Sequence, residues 1–306
     1  MTEKAGHIED GRKNHNLMII SLFEKWNISK ENFPKLRWTK LGKSIVLRSD
    51  WEKVLLNETD SRLKEISEIF NTPIIAIKGT SKGRERRPQT KIVYGPKQKV
   101  FHKENELFYV IDLEKTMFSS GNISERIRIG KISAKGETII DFFAGIGYYS
   151  IPLLVHGKAE MVHAIDLSKD ALECLDEAGK INQISERLTL HHGDISEITP
   201  YLTIKANRIV MGLLPSGLFA LNLALDCLHQ EGGILHLHDT IEVLKEELLA
   251  TKIKQASKKI MNIFSKNEIW KGEIIHVEKV KWWATRRKHV VYDIKISRKL
   301  NPIRHF

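Results

Sequence analysis

The chain has 306 residues, enough for two domains or one large one, and its 42% apolar and 28% charged content excludes wholesale disorder. Lys and Arg number 49 against 38 Asp and Glu, a formal charge of +11 that points to a polyanionic partner. No uncharged apolar run of about 18 residues occurs, and Cys174 and Cys227 form no CxxC pattern, so a membrane span, a disulfide framework and a Cys-rich zinc site are excluded.

In chain order, HNLMIISLFEKW (His15–Trp26) predicts an amphipathic helix and KSIVLRS (Lys43–Ser49) a strand. The N-terminus has no apolar core of the secretory kind, and a reducing cytoplasm is the expected compartment. From Thr72 to Thr116 the pattern is strand-like and turn-rich, punctuated by Gly79, Gly83, Pro88, Gly95 and Pro96, and Leu107–Leu113 (LFYVIDL) predicts a short buried strand. After Ser119 strands and helices alternate, as in an α/β domain with a largely parallel sheet. The expected organisation is an α+β region over 1–70, a basic β-rich region over 71–119 and an α/β domain over 120–306.

The basic excess is concentrated. Lys78–Lys103 holds nine Lys/Arg against Glu85 alone, and Lys279–Arg304 nine against Asp293 alone, a net of +8 each, so the remainder carries −5. Arginines accompany aromatics in both stretches, which suits nucleic acid. Arg84, Arg86, Arg87, Lys281, Arg286 and Arg287 are the expected RNA contacts, with Tyr94, Trp282 and Trp283 beside them.

Within the α/β domain, TIIDFF (Thr138–Phe143) predicts a strand running into AGIGYYSIPLLVHG. Gly145 and Gly147 make a G-x-G turn, where a backbone without Cβ atoms approaches a ligand at a helix N-terminus. MVHAID (Met161–Asp166) predicts a second strand ending in an acid 21 residues beyond Gly145, the offset at which βαβ units grip ribose hydroxyls. Asp166 together with Ser168 also suits a cap for a helix over Lys169–Ile181. LTLHHGD ends in Asp194 followed by Ile195, a carboxylate and an apolar neighbour suited to an adenine amine and ring face. RIVMGLLP (Arg208–Pro215) is a strand that breaks at Gly212 where a fourth loop faces the crevice, and GGILHLHD (Gly232–Asp239) predicts a fifth. A nicotinamide dinucleotide fold would carry a third glycine where this chain has Ser150. The D-x-x-A-G-x-G run, Asp141, Ala144, Gly145 and Gly147, with Asp194 after the third strand, is instead the layout of S-adenosylmethionine enzymes.

Five segments carry a more specific resemblance: MFSSGNISERIRIGKI (Met117–Ile132), DFFAGIGYYSIPLLVHG, HAIDLS, IVMGLLPSG and VEKVKWWATRRKHVVYDIKI (Val277–Ile296). Together they resemble the class I enzymes that modify the purine 3′ of the tRNA anticodon. Two sister families make up that group, the tRNA guanine-37 N1-methyltransferases and the wybutosine-pathway tRNA aminocarboxypropyltransferases. The methyltransferases carry Pro-Arg where this chain has Ser120-Gly121, and Asn where it has Gly212; both replacements look like the aminocarboxypropyl family. The departures are Asp166, where that family often has Glu, and Trp282-Trp283, where Ser-Tyr is usual.

The resemblance implies a class I, Rossmann-like S-adenosylmethionine-dependent transferase domain with a smaller α+β N-terminal region that docks tRNA. It carries the family's cofactor contacts onto Ser119, Arg126, Asp166, Asp194 and Ile195, with Ser119 and Arg126 on the methionine carboxylate. On that assignment Arg126→Ala would weaken cofactor binding by roughly 1.5–3 kcal/mol. The implied reaction moves the 3-amino-3-carboxypropyl group to a demethylwyosine-type base at position 37 of tRNA-Phe, by a chain expected to act as a monomer; the alternative is guanine-37 N1-methylation. Carbon is the nucleophile in the first case, so no residue is assigned as general base, and His163, His236 and His238 are expected to be core or rim histidines.

Overall fold

The computed structural model describes residues 2–55, 60–83 and 87–299, and the chain forms two compact units. One runs to Lys103 and takes in Val110–Phe118; the other comprises Glu104–Tyr109 and everything from Ser119 onward.

The first unit begins with helix α1 (Thr2–Lys25), longer than the amphipathic stretch predicts. Ile19 and Phe23, one turn apart, are fully buried on its inner face. Strands β1 (Trp38–Leu41) and β2 (Ser44–Leu47) pair antiparallel; helices α2 (Glu52–Leu55) and α3 (Asp60–Phe70) follow, and β3 (Ile74–Ile77) returns parallel to β2. After a minimal pair, β4 (Ser81–Lys82) with β5 (Arg87–Pro88), strand β6 (Lys91–Tyr94) joins β3 antiparallel, giving the order β1-β2-β3-β6. Every residue of β2 and β3 is buried, as the unbroken IIAI run requires. Residues 71–119 are therefore no region apart, because β3 and β6 complete the sheet that β1 and β2 begin. β7 (Val100–Glu104) and β8 (Leu107–Ile111) make a two-stranded sheet turned at Asn105 and Glu106, both at positive φ as a type I′ turn demands.

The second unit opens with α4 (Ile123–Gly130), and then strands and helices alternate: β9 (Thr138–Asp141), α5 (Ser150–Val155), β10 (Met161–Asp166), α6 (Lys169–Ile181), β11 (Leu188–His192), α7 (Ile195–Ile198), β12 (Arg208–Met211), α8 (Leu221–Cys227) and β13 (Gly232–Glu242). Helix α9 (Leu249–Lys266) leads into a long hairpin, β14 (Trp270–Ala284) and β15 (Arg287–Arg298). The seven strands lie in the order β11-β10-β9-β12-β13-β15-β14, the first five parallel and the last two antiparallel. β9 sits between β10 and β12, so the winding of the chain reverses there, and the crevice outside the carboxyl ends of these strands is where such sheets take ligands. Both cysteines are buried free thiols, and among the described residues no helix is long and apolar enough to cross a membrane.

Candidate active site

Three loops at the carboxyl ends of β9, β10 and β11 are laced together by backbone bonds. The Ala144 amide donates to the Ile165 carbonyl at 3.1 Å and the Gly193 amide to the Asp166 carbonyl at 3.0 Å. Below them Asp141 is fully buried, accepts the Ser150 hydroxyl at 2.8 Å, and has its carboxyl pushed up to about 7 by burial. Asp141 thus anchors the loop from beneath.

Asp166 ties the first loop to the second. One carboxylate oxygen accepts the Gly145 amide at 2.7 Å, the other the Ser168 amide at 2.8 Å. Ser168 in turn caps α6 by accepting the Ala171 amide at 3.3 Å. The capping reading and the ribose reading therefore fall on different members of one chain of bonds. Asp194 caps the short α7, accepting the Ser196 amide at 2.9 Å and its hydroxyl at 2.7 Å, while Ile195 is buried in the core cluster beneath the sheet end.

The two glycines of the turn have separate reasons. Gly145 has φ +54°, and a Cβ there would come within 3.0 Å of the Tyr148 ring. Gly147, at φ +90°, faces inward: a Cβ would meet Leu175 Cδ1 at 2.4 Å and Ile151 Cγ1 at 2.8 Å. At Gly147 it is packing against the helices that forbids a side chain. Gly212 is likewise closed by protein, since a Cβ would lie 2.8 Å from Tyr149 Cε2. Tyr149 is itself buried, its hydroxyl 3.4 Å from His238 Nδ1, and that nitrogen is 3.0 Å from His289 Nε2.

Upstream, Arg126 is buried beside the Ser119 loop. Its guanidinium is 2% exposed and engages Glu104 in a fork, Nη2 to Oε2 at 2.7 Å and Nε to Oε1, while Nη1 donates to the Ser119 carbonyl at 2.9 Å. Three of its donors are thus turned to Glu104 and the loop backbone, and through the carbonyl Arg126 positions Ser119. Arg126 Cζ stands 5.9 Å from the Tyr148 ring, which abuts Gly145, so the Ser119 loop and the glycine turn adjoin.

Lys281 reaches the same loop. Its ammonium donates to the Ser119 hydroxyl at 2.9 Å and lies against Gly121, which places it at this loop, apart from the basic hairpin tip. Arg286 and Arg287 are exposed at that tip, Arg87 is exposed on β5, and Arg84 and Arg86 lie outside the described residues. Trp282 is exposed with Lys288 Nζ 5.2 Å from its ring centroid, whereas Trp283 is half-buried.

A buried polar chain fixes α4 to the sheet. Arg128 forks onto Glu125 at 2.7 and 2.8 Å and donates to Asp293 at 2.6 Å. Asp293 accepts His236 Nδ1–H at 2.6 Å, and Arg208 donates to His236 Nε2 at 2.8 Å and to Glu137 at 2.6 Å. His236 is thus a satisfied core histidine, and its Arg128 and imidazole partners hold the Asp293 carboxyl well below the usual range. His238 is a core histidine too, but its Nε2 has no hydrogen-bond partner; His163 pairs with His191 at 3.0 Å across β10 and β11. Glu104, Tyr148 and Tyr149 were missed by sequence reasoning. The available signal for Glu104 was an acid closing a basic run just before a turn.

Residues 100–268 match the family model described as the TRM5/TYW2 methyltransferase domain. The chain is similar to the tRNA wybutosine-synthesizing protein 2/3/4 of Arabidopsis thaliana, 31% identical over 286 residues, covering 90% of this chain and 28% of that one. It is 33% identical over 292 residues to the tRNA wybutosine-synthesizing protein 2 homolog of Danio rerio, covering 86% and 67%. Among solved structures, P. horikoshii TYW2 in complex with MeSAdo superposes with a TM-score of 0.70 at 27% identity, covering 90% of this chain and 97% of that one. The chain spans about a quarter of the length of the plant relative and two thirds of the fish one.

Proposed function

The chain belongs to the TRM5/TYW2 methyltransferase-domain family, and from that premise we propose that it transfers the 3-amino-3-carboxypropyl group of S-adenosylmethionine to a demethylwyosine-type base at position 37 of tRNA-Phe. The residues present fit that donor. The left-handed turn at Gly145, the carboxylate of Asp166 behind it and Asp194 with Ile195 line the carboxyl ends of three adjacent strands. In this reading Asp166 holds the ribose hydroxyls while keeping the Gly145 amide, Asp194 and Ile195 hold the adenine, and Ser119 stands at the methionine end. Asp141, Ala144 and Gly147 shape the loop from below.

When bound, the donor supplies a sulfonium whose three carbons are all electrophilic, and transfer of its amino-acid arm releases methylthioadenosine. Which carbon reacts is a matter of orientation. The observation that carries the choice is Gly212. Methylation at N1 of guanine needs a polar group to manage the N1 proton, and here the fourth-strand loop offers none at that position: Gly212 is filled by the ring of Tyr149, whose hydroxyl turns inward to His238. When a ring carbon attacks Cγ of the amino-acid arm, the S–Cγ bond breaks and methylthioadenosine leaves with the electron pair; the ring C–H proton is lost to solvent only afterwards, so the bond-forming step asks no base of that loop. The names of the wybutosine-synthesizing relatives support the same reading.

The deciding experiment supplies tRNA-Phe bearing the demethylwyosine precursor and donor labelled in either the methyl or the carboxyl carbon. Label is expected in RNA from the carboxyl carbon only, with labelled methyl recovered in methylthioadenosine. Incorporation from the methyl alone would replace this reading with N1-type methylation.

A further inference from the structure

Helix α9 belongs to neither of the two basic stretches, yet its 18 residues, LATKIKQASKKIMNIFSK, hold five lysines and no acid. Setting it apart takes the remainder of the chain from −5 to −10. Its inner face is taken up by the sheet: Leu249, Ile260 and Phe264 are buried, and the Phe264 ring lies over Gly272 of β14, where a Cβ would come within 2.6 Å. The lysines stand on the other side in two rows, Lys252, Lys259 and Lys266 two turns apart and Lys254 and Lys258 one turn apart. All but the half-buried Lys252 are exposed. Among the described residues none of the five is ion-paired, and the acids nearest in the chain, Glu246, Glu247 and Glu268, lie beyond the helix ends. Like charges one turn apart repel, so this face weakens the helix and does nothing for the fold.

Its placement gives the charge a use. Helix α9 starts just after β13 ends, at the carboxyl edge of the parallel strands, and runs back to the start of β14 at the opposite edge. The hairpin tip stands at that same carboxyl edge, where the Val243 amide donates to the Arg286 carbonyl at 2.8 Å and Arg287 donates to Thr240 Oγ1. Tip and helix make one basic track, about 27 Å long on the helix alone. An array of that length suits a polyanion and not a small anion. A lipid surface is disfavoured, because the apolar face that would enter it is already buried against β14. We propose that the outer face of α9 is an RNA-binding surface, which continues the track from the hairpin tip and takes backbone phosphates flanking the reacting base. The inference rests on tRNA as acceptor in the reading above.

The test compares two variants that lose the same charge. One carries Lys254→Gln, Lys258→Gln and Lys259→Gln on α9. The other carries Lys131→Gln, Lys135→Gln and Lys158→Gln, three exposed lysines that border one hollow at the amino ends of β9 and β10. Binding of tRNA-Phe is measured over a salt series, with thermal unfolding and S-adenosylmethionine binding as controls. The α9 variant is expected to bind tRNA roughly tenfold or more weakly at about 0.1 M salt, with the slope of log K against log salt reduced by about 2. Its unfolding temperature should hold or rise and its donor affinity should stay within about twofold, while the other variant keeps its tRNA affinity. Unchanged tRNA binding by the α9 variant, or equal weakening of both variants, overturns the surface and leaves the transfer reading intact. Vesicles of anionic phospholipid that bind the unaltered chain, and release the α9 variant while its tRNA affinity is kept, would give the face to lipid and overturn it too. Failure of the unaltered chain to bind tRNA overturns both this inference and the reading it rests on.

Discussion

Arg126 and Glu104 illustrate how burial changes what a charge does. The side chains are 2% and 8% exposed, so removing one strands the other in a medium that does not solvate it. Arg126→Ala is expected to cost roughly 3–5 kcal/mol of stability, read from urea unfolding, where an exposed pair would cost less than about 1. The double change Arg126→Met with Glu104→Gln should recover much of that loss, because neither side chain is then left as an unpaired charge. A single-variant cost under about 1 kcal/mol would show the pair to be solvated. The arginine was legible in ISERIRI as a candidate, but its partner was not. Glu104 lies 22 residues upstream, beyond helical or strand neighbour spacing, and only the turn between β7 and β8 brings it back. A motif marks which residue matters; the charge balance around it is set by folds of the chain that no local spacing encodes.

At the scale of elements, the parallel strands were legible as apolar runs, and the central ones, β9 and β12, are almost wholly buried. TIIDFF, MVHAID, LTLHHGD, RIVMGLLP and GGILHLHD each read as an apolar run ending in a turn, and each is a strand. Helix α6 spans Lys169–Ile181, with Ser168 as its cap, as the sequence predicts. The β14–β15 hairpin was not legible, because β14 alternates lysines, glutamates and aromatics over 15 residues with most positions only partly buried. Its inner partner strand carries the clearest pH consequence. His289 on β15 is buried against His238 on β13, with Lys281 opposite on β14, and burial first and the lysine second hold its imidazole down to about 4; His238 is lowered as well. An unfolded imidazole protonates near 6.5, so between about 6.5 and 4 the unfolded chain binds more protons. The stability this strand pair contributes is complete above about 6.5 and is lost as pH falls toward 4. Asp141, raised to about 7 by burial, has the opposite sign over much of that window, so the informative quantity is a difference. His289→Gln should narrow its stability gap to the unaltered chain by roughly 2–3 kcal/mol between pH 7.5 and 4.5. A constant gap across that range would mean that the imidazole titrates normally where it is.

For the whole molecule, the charge distribution sets an expectation for how tRNA binding responds to salt. The +11 excess sits in two stretches of +8 over a remainder of −5, and on the hairpin Arg286 and Arg287 stand exposed at a sharp turn, Arg286 at φ +61°. Arg287 reaches Thr240 Oγ1 at 3.3 Å, which holds the tip side chain in place without neutralising it. Such side chains suit phosphates, and phosphate contacts position a nucleic acid without reading its sequence. Each phosphate neutralised releases condensed counterions, so log K against log salt falls with a slope of about 0.7–0.9 per contact. Binding to tRNA-Phe should therefore weaken steeply with salt, and Arg286→Ala with Arg287→Ala should flatten the slope by about 1.5 while weakening unrelated tRNAs equally. Lys281→Met should leave the slope unchanged, since its ammonium is committed to Ser119. A salt-independent affinity would remove the hairpin tip from the RNA-binding surface, and a slope that falls on losing Lys281 would return that lysine to the phosphate contacts. The two arginines and the lysine lie within six residues of one another, yet they fall on opposite sides of this measurement. Side-chain direction along the hairpin, and not position in a basic run, separates the lysine that turns to Ser119 from the arginines left exposed at the tip.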